Sequence, residues 1–164
     1  MLKRLFRHLT IPHWWALRAF PSSVLSRIEA AVAASEMAHL GELRFVVEAN
    51  LPLPGLLRGQ RPRVRAIELF SLLRVWDTEH NSGVLIYVQL IDRRVEIVAD
   101  RGIDARVELE FWQGVCRGME AAFRRREFEA GALTAIGDIT RALTRHFPAA
   151  GANANELPDR PLVL

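Results

Sequence analysis

Cysteine, lysine and tyrosine are nearly missing from this chain: each occurs once in 164 residues. A lone thiol, Cys116, cannot close an internal disulfide, so no cystine framework holds the fold, and a reduced thiol in a helical run fits an intracellular setting. Because Lys3 is the only lysine, arginine supplies the rest of the 22 basic residues; 19 acidic residues are interleaved with them and the formal net charge is +3. That mixture forms no basic stripe, so no nucleic-acid partner is expected. No stretch reaches the ~20 consecutive apolar residues of a membrane-spanning helix. Arg4, Arg7, His8, His13 and Arg18 interrupt every apolar run near the start, which argues against a secretory leader. A cytoplasmic location is the expectation. No serine sits in a nucleophile elbow, no glycine spacing matches a phosphate-binding fingerprint, and no internal repeat is present.

What the sequence does have is one densely informative stretch, residues 75–104. Residues 84–91 form an almost unbroken apolar run too short for a typical helix, which predicts a central strand covered on both faces. Asp92 and Arg93 break it. Residues 94–100 then alternate, with Val95, Ile97 and Ala99 opposed to Arg94, Glu96 and Asp100, as in a strand nearer an edge. Together they make a hairpin.

Around that hairpin the periodicity predicts a helix from Pro21 to about Ala38, a strand over 43–50, a proline-stiffened loop over 51–62, and a helix over 63–76. Two further helices follow over 105–125 and 128–147. A helical crossover between strands 43–50 and 84–91 makes those two parallel. The tail from Gly151 is too rich in turn residues for a regular element, and its last residues, 162–164, are expected to dock on the body. The packing that follows is a small mixed sheet in an α/β/α sandwich. Three parts result: a basic, aromatic segment over 1–20, a domain over 21–148, and a tail over 149–164. The first part places Leu2, Leu5, Phe6 and Leu9 at helical spacing among basic residues ahead of Trp14 and Trp15. It packs on the domain or a neighbouring subunit, or else lies peripherally on a membrane whose acidic lipids attract its cations.

This threading brings two loops to one sheet edge. One carries Asp77, Glu79, His80 and Asn81, the other Asp100 and Asp104; the first helix delivers Glu36, His39 and Glu42 to the same edge. Carboxylate and amide oxygens suit calcium or another hard divalent cation, whereas imidazole favours a transition ion. A cation there could polarise a phosphoester while Asp77 or Asp100 acts on the attacking water. Each group also has a structural use, as a cap, a turn residue or a strand end. At the opposite edge Arg58, Arg61 and Arg63 could hold an anion or an acidic protein partner, or simply border a solvated loop.

Several segments resemble the TPM domain family, named for a thylakoid-lumen protein, a photosystem II repair protein and an animal receptor modulator. They are residues 67–70, the run Asn81-Ser82-Gly83-Val84-Leu85-Ile86-Tyr87-Val88, the turn Asp92-Arg93-Arg94, the strand Val95-Glu96-Ile97-Val98, and Gly102-Ile103. The resemblance spans about residues 25–147 and implies an α/β/α sandwich. It implies either phosphatase activity or calcium binding, as assigned to some members, or a part in assembling membrane complexes, as for others. Many members are exported or membrane-anchored, whereas this chain looks like a short bacterial branch without an anchor. It also has Asn81 where many relatives place an aspartate. An interaction or assembly module is the favoured reading, and a metal-dependent phosphatase the alternative.

Overall fold

The computed structural model describes residues 2–10, 14–149 and 155–164. Residues 11–13 of the basic segment and residues 150–154 of the tail lie outside them. Three helices lead the chain: α1 (Leu2–Thr10), α2 (Trp14–Ala19) and α3 (Ser22–Glu36). Strand β1 (Glu42–Glu48), a short α4 (Leu53–Leu57) and α5 (Pro62–Leu72) follow. Then come the hairpin β2 (Gly83–Gln89) and β3 (Arg94–Ala99), and α6 (Arg101–Asp104). The long pair α7 (Leu109–Arg124) and α8 (Phe128–His146) and the two-residue β4 (Leu162–Val163) complete the chain.

The sheet order is β3-β2-β1-β4. As the crossover predicts, β1 and β2 are parallel, with Phe45 opposite Ile86, while β2 and β3 are antiparallel, with Ile86 opposite Ile97. Three features depart from the sequence expectation, and in the first the expected loop from Asp100 to Asp104 closes into α6. The loop over 51–62 contains α4, whose early Pro54 needs no backbone N–H there. The tail contributes a fourth strand, because Leu164 N–H donates to Val47 O at 2.8 Å and Ala49 N–H to Leu164 O at 3.2 Å. Composition could not show this, since what makes those residues a strand is an open edge on β1.

Alternation along the strands builds two unlike cores. Leu43, Phe45 and Val47 of β1, Val84, Ile86 and Val88 of β2, and Val95 and Ile97 of β3 face α3, α7 and α8. Phe20 plugs this side, its ring 5.5–6.1 Å from those of Phe45, Phe123 and Phe128. Burying one such ring stabilises the fold by roughly 1.5–3 kcal/mol. The other face is smaller and ionic. Val46, Leu85, Tyr87 and Val98 meet Ala66 and Leu69 of α5, and among them lies Glu48, buried and salt-bridged to Arg65 Nη2 at 2.7 Å. Tyr87 Oη donates to the same carboxylate at 2.5 Å. The phenol titrates well above its usual range, chiefly because it is buried and then because Glu48 is beside it. All seven residues of β1 are buried, so both faces of this strand are covered.

The N-terminal helix is fastened by polar groups. Arg4 Nε donates to both oxygens of Asp92 in the hairpin turn, each at 3.0 Å, and Arg4 Nη2 to Asp92 Oδ2 at 2.6 Å. Buried His8 accepts from Leu51 N–H through Nδ1 at 3.1 Å, which leaves Nε2 to donate to Asp92 Oδ1 at 3.3 Å. Arg7 reaches Ile91 O. Burial alone would raise the Asp92 carboxyl, but the bonds from Arg4 and His8 outweigh it and hold it below the usual carboxylate range. No helix among the described residues is long and apolar enough to cross a membrane.

Candidate functional site

The two loops flanking the hairpin do meet. Asn81 adopts φ 51°, a left-handed conformation that asparagine tolerates, and turns its carbonyl to Gly102 N–H at 3.2 Å. Its side chain accepts from Arg101 Nε at 2.9 Å. Gly102 is required here: a Cβ would stand 2.6 Å from Asn81 O and 2.9 Å from His80 O. The start of β1 joins them, since Glu42 N–H donates to Ser82 O at 3.1 Å and Ser82 Oγ to Leu40 O at 2.8 Å. Chain direction thus gathers the expected segments at one end of the sheet.

Their side chains do not share one centre. Asp77 is exposed and pairs with Arg74 at 3.1 Å, and His80 is exposed. Asp104 is exposed at the end of α6 and borders a different cleft. Asp100 caps α6, with Oδ1 accepting from Arg101 N–H at 2.7 Å; its Oδ2 is buried without a hydrogen-bond partner. Among the described residues, no three His, Cys, Asp or Glu side chains gather in a way that could hold one metal ion. A calcium-like shell needs six to eight oxygens. The donors as arranged do not fit it.

His39, Glu36 and Glu42 are internal groups. His39 Nδ1 accepts from Gly41 N–H at 3.1 Å, so its neutral ring carries the proton on Nε2 and donates to Ser35 Oγ at 2.8 Å. Ser35 then donates to Thr140 Oγ1 at 2.6 Å, and Thr140 to Ile136 O at 2.7 Å. The ring is a donor to the serine and not a base for it, so the pair is no nucleophile. Burial lowers this imidazole to about 4. Glu36 Oε1 accepts from Leu43 N–H at 2.7 Å, yet burial raises its carboxyl to about 8, helped by Glu42 and Asp159. Glu42 Oε2 takes two backbone N–H groups of the tail, Glu156 at 3.2 Å and Leu157 at 3.1 Å, and is also raised by burial.

The tail is therefore a strap that the sequence did not reveal. Arg44 Nη1 donates to Pro158 O at 2.6 Å and Arg160 O at 2.5 Å, while Glu79 N–H reaches Glu156. Charged residues alternating on β1 were the available signal, because a charge on a strand covered on both faces needs a partner.

The expected arginine group is dispersed. Arg58 folds back on Pro54 O, Arg61 is exposed ahead of α5, and Arg63 reaches across to Ile97 O on β3. That last contact marks a cleft of about 430 Å³ between β3, α5 and α7, lined by Trp112, Cys116, Arg117 and Glu120 among others. Burial pushes the Cys116 thiol up to about 12, so it is no ready nucleophile.

A family model described as the TPM domain matches residues 18–142, most of the sheet and both helical layers. The chain belongs to the TPM domain family. This TPM domain is similar to the NMR structure of the BA42 protein from the psychrophilic bacterium Bizionia argentinensis sp. nov.. The TM-score is 0.76 at 26% identity, covering 87% of this chain and 94% of that one. No curated protein matches.

Proposed function

We propose that this TPM domain is an interaction or assembly module held peripherally on an acidic membrane surface by α1 and α2. The observation that carries this reading is the direction in which those helices face. Arg4 and His8 turn inward to the hairpin, Leu5 lies beside Leu56 and Leu57 of α4, and Ala16 and Phe20 enter the core, whereas Phe6 and Leu9 are 68% and 62% exposed. Trp14 and Leu17 are 55% and 50% exposed. Lys3 and Arg18 are exposed on the same two helices, which suits an anionic lipid surface beneath apolar side chains. Metal-assisted phosphoester hydrolysis draws less support, because Glu36, Glu42, Asp77 and Asp100 already serve as caps, backbone acceptors or ion-pair partners.

Flotation with phosphatidylglycerol-containing vesicles tests the reading. Binding should appear at low salt, weaken with added salt, and be absent from pure phosphatidylcholine vesicles. Phe6→Ser/Leu9→Ser/Trp14→Ser should weaken it at least about tenfold while the circular dichroism spectrum stays unchanged. No binding, or binding indifferent to that triple variant, would refute the proposal.

A further inference from the structure

From the cleft along β3 we infer a second interaction site, independent of the membrane surface: it accepts an extended peptide that adds to the sheet as a strand next to β3. Register sets out the polar groups. Asp100 N–H pairs with Gly83 O at 2.8 Å, so alternate residues of β3 turn their backbone toward β2, and Val95, Ile97 and Ala99 turn theirs away. Being first in the sheet order, β3 has no strand on that side among the described residues. An open edge is a template for another chain unless something covers it.

Here side chains take the place of a strand. Glu120 Oε1 accepts from Val95 N–H at 3.3 Å, the Cys116 sulfur interacts with the Ile97 backbone, and Arg63 donates to Ile97 O. Glu120 and Arg63 are the ends of long rotatable arms from α7 and α5, able to swing off the backbone groups they occupy, whereas the Cys116 thiol can turn only about one bond. Ala99 N–H faces the same way without such an arm. Among the described residues that line the cleft, Trp112 also has its Nε1 buried without a hydrogen-bond partner. A buried indole N–H normally has an acceptor, and a peptide carbonyl is an acceptor of the right kind.

The occupant follows from the lining. The cleft of about 430 Å³ falls within the usual range of roughly 300–1,000 Å³ for ligand sites. Its charges balance, Arg63, Arg94 and Arg117 against Glu96, Asp104 and Glu120, so neither a strongly acidic nor a strongly basic partner is selected. Affinity would then come from main-chain pairing, and specificity from small or β-branched side chains facing the α7 wall. The opposite edge sets the precedent: residues 162–164 of this same chain are added to β1 by main-chain bonds.

A phage-displayed library of random twelve-residue peptides, panned on the full chain, tests the inference, with the selected peptides then synthesised and titrated by NMR. The expected result is peptides that shift the Trp112 indole N–H resonance and protect the Val95, Ile97 and Ala99 amides from hydrogen exchange. Val95→Pro, which removes an outward N–H at an edge where proline is tolerated, should weaken binding about tenfold. Trp112→Phe, which keeps a ring and loses the donor, should do likewise, while Glu120→Ala should strengthen binding by uncovering Val95. Three results would overturn the site: no peptide selected, peptides indifferent to Val95→Pro and Trp112→Phe, or β3 pairing with β3 of a second copy. None of them bears on vesicle binding, which uses α1 and α2.

Discussion

Tyr87 donates its hydroxyl proton to Glu48 at 2.5 Å while Arg65 grips the same carboxylate from α5, so one buried charge joins two strands and a helix. Removing only the cation strands the anion. Arg65→Met is therefore expected to cost about 3–5 kcal/mol in urea unfolding. Arg65→Met/Glu48→Leu/Tyr87→Phe should recover most of that loss, because an apolar trio leaves neither a charge nor a hydroxyl unpaired. A loss under about 1 kcal/mol in the single variant would mean that the carboxylate is hydrated after all.

The carboxyl of Glu36 sits at about 8 in the folded chain, raised by burial above its ordinary 4.5. Between those values the native state holds a proton that the unfolded state has released, so stability is full at low pH and falls as pH rises toward 8. His39 works the other way. Lowered to about 4 from 6.5, it adds stability that is present above 6.5 and lost on acidification. The two offset each other up to pH 6.5, and from there to pH 8 the Glu36 slope is no longer opposed by His39, while the raised Glu42 and Glu96 carboxyls act in the same direction as Glu36. Tm should drop by about 4–8 °C across that interval, at roughly one proton per molecule. Glu36→Gln should flatten it, whereas an unchanged slope would assign the proton elsewhere.

Asp92 takes both Arg4 and His8, and with the bonds to Gln60, Ile91, Asn50 and Leu51 it fastens α1. Asp92→Ala should expose residues 2–10 to trypsin at least about fivefold faster and lower global stability by about 1–3 kcal/mol. Asp92→Asn should fall between it and the parent. Equal cleavage rates for Asp92→Ala and parent would show that apolar packing holds α1.

The hairpin was legible because its two strands carry unlike patterns, an unbroken apolar run and an alternation, and pattern alone separates a central strand from an edge. The convergence of the Asn81 and Asp100 loops was legible as well, being a matter of chain direction. Side-chain partners were not. Glu42 and Arg44 look like surface alternation until the tail lies across them, and nothing local in residues 155–164 announces where they return. Arg4 and His8 resemble a membrane-facing charge pattern, yet they turn inward to Asp92, 88 and 84 residues away. Such pairings depend on three-dimensional proximity that periodicity does not encode.

The turn between β2 and β3 holds the first helix, and β3 is the outer rail of the sheet. A tug on α1 would pass through Asp92 into that hairpin, and through His8 into Asn50 and Leu51 just beyond β1. An anchor at one end and a gripped peptide at the other would thus be loaded in series through a few residues of turn, so that tension on the first could loosen or tighten the hold on the second.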